Sequence, residues 1–430
     1  MPDRAIPPGL ARRGVMTPDE LRRARWFRAK QRPIAAVSEI DRAPLGDGAL
    51  AVLEVVFADN GSPDHYLVTE GPDVWSSLVR AIAAGAVLPA ARGAFVATVT
   101  DAARFDGSFE ARPLAVEQSN TSVVIGERLI LKLYRLLEAG DNPDIEISAF
   151  LTDAGFADTP ALAGSMIYRA PQGWTAAAAM LQEFVPSTGD AWGAMLDALA
   201  TQPAAGIEMA RSIGRVTAAM HAALASRPDD PAFPSRPATV GETAAWRASA
   251  ERQLAQAVTA LSGEAHDVLV DLAPGLRARF ADTFGAATGE ASVTRIHGDY
   301  HLGQLLARRD GGFSVVDFEG EPARPLAERR QPSSPLRDVA GMLRSLDYAA
   351  RTAERASRFD PDAWLVEARG AFLDAYGPAD AALLAAFELE KACYEIRYEA
   401  NNRPDWLWLP LGAVERLSGE GIGRSRFEAP

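Results

Sequence analysis

One stretch constrains this chain more than any other. His297-Gly-Asp-Tyr-His-Leu-Gly-Gln304 is followed, thirteen residues after Gln304, by Asp317-Phe-Glu319. Between them, Asp310-Gly311-Gly312 is a turn signal separating two strand-like runs, 304–309 and 313–318. Closing that hairpin predicts Gln304 beside residue 317 or 318. The amide oxygen of Gln304 and the carboxylate of Asp317 are hard oxygen donors of the kind Mg²⁺ takes. Asp299, at the same end, is a base for a hydroxyl proton. Phosphoryl transfer asks little more of a protein than an aligned acceptor, a base and cations that neutralise phosphate oxygens.

Glu319 stands where many protein kinases have Gly, and Gln304 stands where their catalytic loop has Asn. Both departures resemble the aminoglycoside-phosphotransferase branch of the kinase-like fold. Within it, Ile296-His-Gly-Asp-Tyr-His-Leu-Gly-Gln304 with Asp317-Phe-Glu-Gly-Glu-Pro322 closely resembles bacterial maltokinases. The resemblance implies an α+β, two-lobed protein-kinase-like fold. It would comprise an amino-terminal cap subdomain over 1–95, a small mixed nucleotide-binding lobe over 96–185 and a mostly helical C-lobe over 186–430.

Composition supports a folded chain of this kind. With 430 residues, 48% of them hydrophobic, it can build two or three cores of ordinary domain size. The net charge of −13 argues against non-specific binding to nucleic acid or anionic membranes. Cys393 is the single cysteine, so no internal disulfide forms, which suits a cytoplasmic protein. No signal-like amino terminus is present, and no run approaches the ~20 apolar residues of a membrane span.

The first region reads as short strands, 49–57 and 65–69, with Trp26 and Phe27 as core residues closing an early basic helix. In the second, Lys132 interrupts the apolar run Leu129–Leu133 and must point to a polar site or to solvent. Glu146 follows on a helix that begins after Pro143. Their pairing would make the lysine–glutamate ion pair that steadies nucleotide phosphates. Ser119, Asn120 and Thr121, in the run Gln118–Ser122, lie where kinases hold a phosphate loop, though no glycine is present. Met180–Pro186 reads as the strand and hinge whose backbone meets adenine, which marks Gln182, Glu183 and Val185 by position. His221 lies on an apolar-patterned helix and reads as a packed structural histidine, and Asp338 as an early-turn helix acid.

On the helix expected over 381–401, Lys391, Glu395, Tyr398 and Asn402 share one stripe with Tyr394 at its margin. Leu389, Cys393, Ile396 and Ala400 fall opposite, on a core face. An ammonium, a carboxylate, phenols and an amide together suit a sugar, which wants hydrogen bonds to hydroxyls and aromatic faces against its ring. The run Phe387–Trp406 is similar to the carboxyl-terminal signature of maltokinases, which hold a disaccharide with this helix.

The resemblance implies an ATP- and Mg²⁺-dependent kinase that phosphorylates maltose to maltose 1-phosphate for glycogen-type α-glucan synthesis, with possible association with a trehalose-converting enzyme. In that reading Asp299 is the catalytic base, Gln304 and Asp317 hold Mg²⁺, and Lys132 holds phosphates. His301, Lys391, Tyr394, Glu395 and Tyr398 meet the sugar, and His297 braces the loop. The rival readings are a kinase of another sugar such as glucosamine, an antibiotic phosphotransferase, and a catalytically dead binding protein. For an amino sugar, Glu395 and Glu399 are the carboxylates on offer.

Overall fold

A computed structural model describes residues 16–59, 61–100, 110–114, 119–322, 324–356 and 359–418. Gln118 of the expected phosphate loop lies outside them. The chain divides into two compact units: residues 1–145 with 162–184, and residues 146–161 with 185–430.

The first unit holds α1 (Pro18–Arg23) and the antiparallel sheet β1 (Ile34–Leu45), β2 (Gly48–Phe57) and β3 (Asp64–Glu70). Then come α2 (Val74–Ala83), β4 (Val87–Pro89), β5 (Ala94–Val99), β6 (Ala111–Pro113), β7 (Asn120–Ile125) and β8 (Leu129–Tyr134). After α3 (Pro143–Asp153), in which the division between units falls, β9 (Leu162–Arg169) and β10 (Thr175–Glu183) complete a seven-stranded sheet. Its order is β4-β5-β9-β10-β8-β7-β6. The expected strands 49–57 and 65–69 are present, because alternating apolar residues such as Leu50, Val52 and Leu67 bury one sheet face under α2. Trp26 and Phe27 are buried against Tyr66 as expected, but α1 ends at Arg23 and they follow it in a turn.

The second unit is mostly helical. The short strand β11 (Ser187–Asp190) precedes α4 (Ala191–Thr201) and α5 (Pro203–Leu224). The pair β12 (Arg236–Pro237) and β13 (Ser292–Val293) brackets α6 (Val240–Ala260) and α7 (Gly263–Ala286). The hairpin β14 (Leu305–Arg308) and β15 (Phe313–Val315) joins β11 in a three-stranded sheet. Helices α8 (Leu326–Arg329), α9 (Leu336–Ala356), α10 (Pro361–Tyr376), α11 (Ala381–Asn402) and α12 (Trp408–Ser418) complete it. One large core runs through this unit, with Phe280, Phe284, Phe372 and Phe387 fully or almost fully buried. Among the described residues no helix is long and apolar enough to cross a membrane.

Candidate active site

The hairpin forms in the register its turn residues demand. Leu305 pairs with Val315, and the Val316 amide donates to the Gln304 carbonyl at 3.0 Å. Gln304 and Asp317 therefore emerge side by side, with the Gln304 amide nitrogen 3.1 Å from the Asp317 carboxylate. Asp317 has φ +69°, one of two non-glycine residues in the left-handed region among those described. A non-glycine residue persists there only when its surroundings over-determine it. An amide and a carboxylate at this spacing fit a hard cation, once the Gln304 amide turns so that its oxygen faces the ion.

The loop that carries Asp299 is clamped from below. Asp338, in the first turn of α9, accepts from the backbone amides of His297 (2.7 Å) and Gly298 (2.9 Å) and meets His221 Nε2 at 3.1 Å. Burial would raise its pKa, but the His221 contact and the amides outweigh burial and hold it below the usual carboxylate range. His221 is thus structural, as its helix pattern implies, bonded also to Tyr376 at 3.1 Å. The His297 ring reaches the Val316 carbonyl at 3.0 Å and so ties the loop to the hairpin, its expected bracing role. A Cβ at Gly341 of α9 would lie 2.6 Å from the Tyr300 carbonyl, so only glycine lets the helix approach this closely. Asp338 is the early-turn helix acid that the sequence implies, but its hold on the loop and the close approach at Gly341 are not legible in the motif. The hold depends on the acid facing backbone amides, which no local spacing reveals.

Asp299 Oδ1 lies 3.5 Å from the Lys391 ammonium on α11, which also lies 3.7 Å from Glu321. Burial would depress the lysine pKa, but the two carboxylates outweigh it and hold the ammonium charged well above the ordinary range. His301 caps the following short turn, its Nδ1 accepting from the Gly303 amide at 3.0 Å. Burial lowers its pKa, so it is held as a neutral imidazole.

Asp299, His301 and Lys391 open on a cavity of about 810 Å³ walled by Trp192, Tyr394 and Tyr398. The two tyrosines stack, with centroids 6.4 Å apart and ring planes 22° apart. Glu395 also lines this cavity, but it is not free. It is buried, and Arg344 takes its Oε2 through two hydrogen bonds at 3.0 and 2.7 Å. Burial still raises its pKa despite that partner. Its other oxygen receives no hydrogen bond from a described residue, and the residue still lines the cavity. Glu399 is committed to Arg403 and Tyr348. Tyr398 is exposed, and Leu389, Cys393 and Ile396 fill the core face as expected.

In the other unit, Lys132 pairs with Asp144 at 2.7 Å, and Asp144 also accepts from the Tyr134 hydroxyl at 2.9 Å. The expected pairing with Glu146 is corrected. Residues two apart on a helix point about 200° apart, so α3 turns Asp144 to the lysine and Glu146 to Arg330 (2.7 Å) and Arg295 (3.2 Å). Asn120 and Thr121 do not form a loop, since they begin β7 opposite Tyr134 and Leu133. The Thr121 hydroxyl is buried and accepts from Arg135 at 2.9 Å, which removes it from phosphate contact. Ser119 lies in the bend before β7, Gln182 and Glu183 end β10, and Val185 follows it.

The sequence profile of the phosphotransferase enzyme family matches residues 110–387. A glucosamine kinase of Streptacidiphilus jiangxiensis is 32% identical over 326 residues, 70% of this chain and 71% of the relative. One from Mycolicibacterium smegmatis is 30% identical over 339 residues, 72% of this chain and 80% of the relative. Among solved structures, a glucosamine kinase in complex with glucosamine, ADP and inorganic phosphate aligns with a TM-score of 0.72 and 26% identity. That alignment covers 94% of this chain and 100% of the other.

Proposed function

Because this chain belongs to the phosphotransferase enzyme family, in which it is an enzyme with a hydroxyl acceptor, we propose that it transfers the γ-phosphoryl group of ATP to a small sugar, with an amino sugar such as glucosamine favoured. The observation that carries the amino sugar is the Glu395 carboxylate. It is buried, its pKa is raised, and one oxygen is left unbonded at the wall of the cavity that Asp299 enters. An added ammonium would give that oxygen a hydrogen-bond donor and a further cation beside Arg344 and Lys391. The relatives named as glucosamine kinases support the same choice.

In this reading Asp299 accepts the proton of the attacking hydroxyl, and Lys391 and Glu321 fix the carboxylate in position. Lys132, oriented by Asp144, holds phosphate oxygens. Ser119 and the backbone of 182–185 meet the rest of the nucleotide. Gln304 and Asp317 would hold Mg²⁺, which when bound neutralises charge on the phosphates. His301, neutral, and Tyr394 and Tyr398 orient the sugar. Residues 1–95 act as a cap subdomain beside the small lobe 96–185, and residues 186–430 form the C-lobe.

A second reading keeps maltose. The stacked Tyr394–Tyr398 pair makes an aromatic wall two side chains long, which suits more than one sugar ring. ADP release with ATP, Mg²⁺ and a panel of glucosamine, maltose, glucose and an aminoglycoside separates the two. Turnover selective for glucosamine, with Glu395→Gln raising its KM more than that of glucose, is the expected result. Turnover selective for maltose would replace the amino-sugar assignment.

A further inference from the structure

The charge balance of Glu395 is set from behind the cavity wall. Arg344 gives both Nε and Nη2 to its Oε2, and the remaining nitrogen, Nη1, goes to Asp347 on the next turn of α9 at 2.5 Å. One guanidinium is thus divided between two buried carboxylates. Neither Arg344 nor Asp347 lines the acceptor cavity. Nothing in the phosphoryl-transfer reading uses Asp347.

Asp347 is 6% exposed. A buried carboxylate is costly unless cations meet it, and an apolar side chain would fill the same space without that cost. Two further cations do meet it. Arg416 of α12 bonds its Oδ2 at 2.8 Å, and Arg351 lies 3.5 Å from its Oδ1. Arg351 is held in turn by Asp362 of α10. Burial would raise the Asp347 pKa, but Arg344, Arg416 and Arg351 outweigh burial and keep it ionised, below the usual carboxylate range.

The consequence falls on Glu395. Facing Arg344 alone, it would have a full cation to itself. With Asp347 on the third nitrogen, the same cation serves two anions, and Glu395 is left short of positive charge. Burial is the main reason that its pKa stands high, and Asp347 adds to the rise that Arg344 and Lys391 oppose. The missing charge can be supplied at its other oxygen, on the cavity side. Arg416 works in the opposite sense, because it takes up Asp347 and so returns Arg344 to Glu395.

We propose that Asp347 is a specificity-determining residue, which by sharing Arg344 leaves Glu395 open to a cationic amine on the acceptor and biases the cavity against neutral sugars. This inference rests on the amino-sugar reading above. It adds a residue that never touches the sugar.

The test is steady-state kinetics with glucosamine at saturating ATP, on the full chain carrying Asp347→Asn or Arg416→Met. Asp347→Asn keeps the shape and frees Arg344 for Glu395, so the glucosamine KM should rise about tenfold. Arg416→Met should lower it about threefold. Inhibition by glucose, which has the same ring without the amine, should move less than about twofold in either variant. A merely structural role would raise KM in both. The Arg416 side chain is 35% exposed, so its variant keeps the test valid if Asp347→Asn fails to fold. In that case an unchanged or higher glucosamine KM in Arg416→Met overturns the proposal. KM shifts of the same sign in the two variants, or equal shifts for glucose, overturn it as well. Absence of glucosamine turnover in the wild type would instead remove the amino-sugar reading, and this inference with it.

Discussion

The hairpin that joins Gln304 to Asp317 and helix α11 both bear proposed site residues, but they were legible to very different degrees. In the hairpin, thirteen residues of chain separate Gln304 from Asp317, and a tight turn forces them together at 3.1 Å. In α11, a helical period assigned Glu395 to the sugar face, yet its carboxylate is turned to Arg344 of α9. A two-strand turn supplies its own partners. A helix face acquires its meaning from whatever other elements pack against it.

The comparison breaks most directly at Asp299. Asp299→Ala should lower kcat by about 10²–10⁴-fold with nucleotide binding retained. ADP release and a nucleotide titration on the same protein measure both. Turnover near the wild-type level would remove the claim of the loop that leads into the hairpin to the chemistry.

The α11 side is sharpened by a pair of variants. Arg344→Met leaves Glu395 and Asp347 buried with fewer cations, since Arg344 bonds both. It should cost about 3–5 kcal/mol of stability in denaturant unfolding. Tyr398→Ala, on an exposed residue, should leave stability within about 0.5 kcal/mol and raise the sugar KM. If Arg344→Met alters only KM, Glu395 belongs to the site alone and the helical-wheel assignment was complete.

These cases show what the sequence carried and what it withheld. The strands at 49–57 and 65–69, the hairpin register and the core stripe of α11 follow from periodicity and turn chemistry acting over a few residues, whereas the bracing role of His297 came from the family resemblance. The Lys132 partner was missed because Asp144 and Glu146 are equally plausible by spacing, and only the phase of α3 chooses between them. Asp338 was readable as an early-turn helix acid, but its backbone partners and the Gly341 approach were not, because each contact joins segments about forty residues apart. The buried carboxylates Glu388 and Glu390 break the polar-out pattern of α11, and they are tolerated because Arg369 and Arg337 arrive from other helices.

The α3 correction gives the next test. Asp144→Asn should raise the ATP KM several-fold, because Lys132 loses the carboxylate that orients it. Glu146→Gln should leave the ATP KM unchanged and reduce stability instead, because two guanidinium groups lose their partner. The reverse pattern in steady-state kinetics would restore Glu146 to the nucleotide.

The smallest expected effect tests a case in which spacing alone does suffice. Thr239 and Glu242 form a reciprocal capping box at the start of α6, and Arg236 adds two hydrogen bonds at 2.8 Å. The Arg236 contact first, and then the Thr239 amide and hydroxyl, overcome burial and hold the Glu242 pKa down at about 2 from 4.5. A carboxylate whose folded pKa is depressed stabilises the fold above its unfolded pKa and loses that contribution as pH falls through the folded value. Glu242→Gln should therefore cost about 1–2 kcal/mol at pH 7, less than the full shift because Arg236 is largely solvated. The difference from wild type should shrink as pH falls from about 4.5 toward 2. A penalty that stays constant across that window would mean that α6 depends on the shape of the residue rather than on its charge.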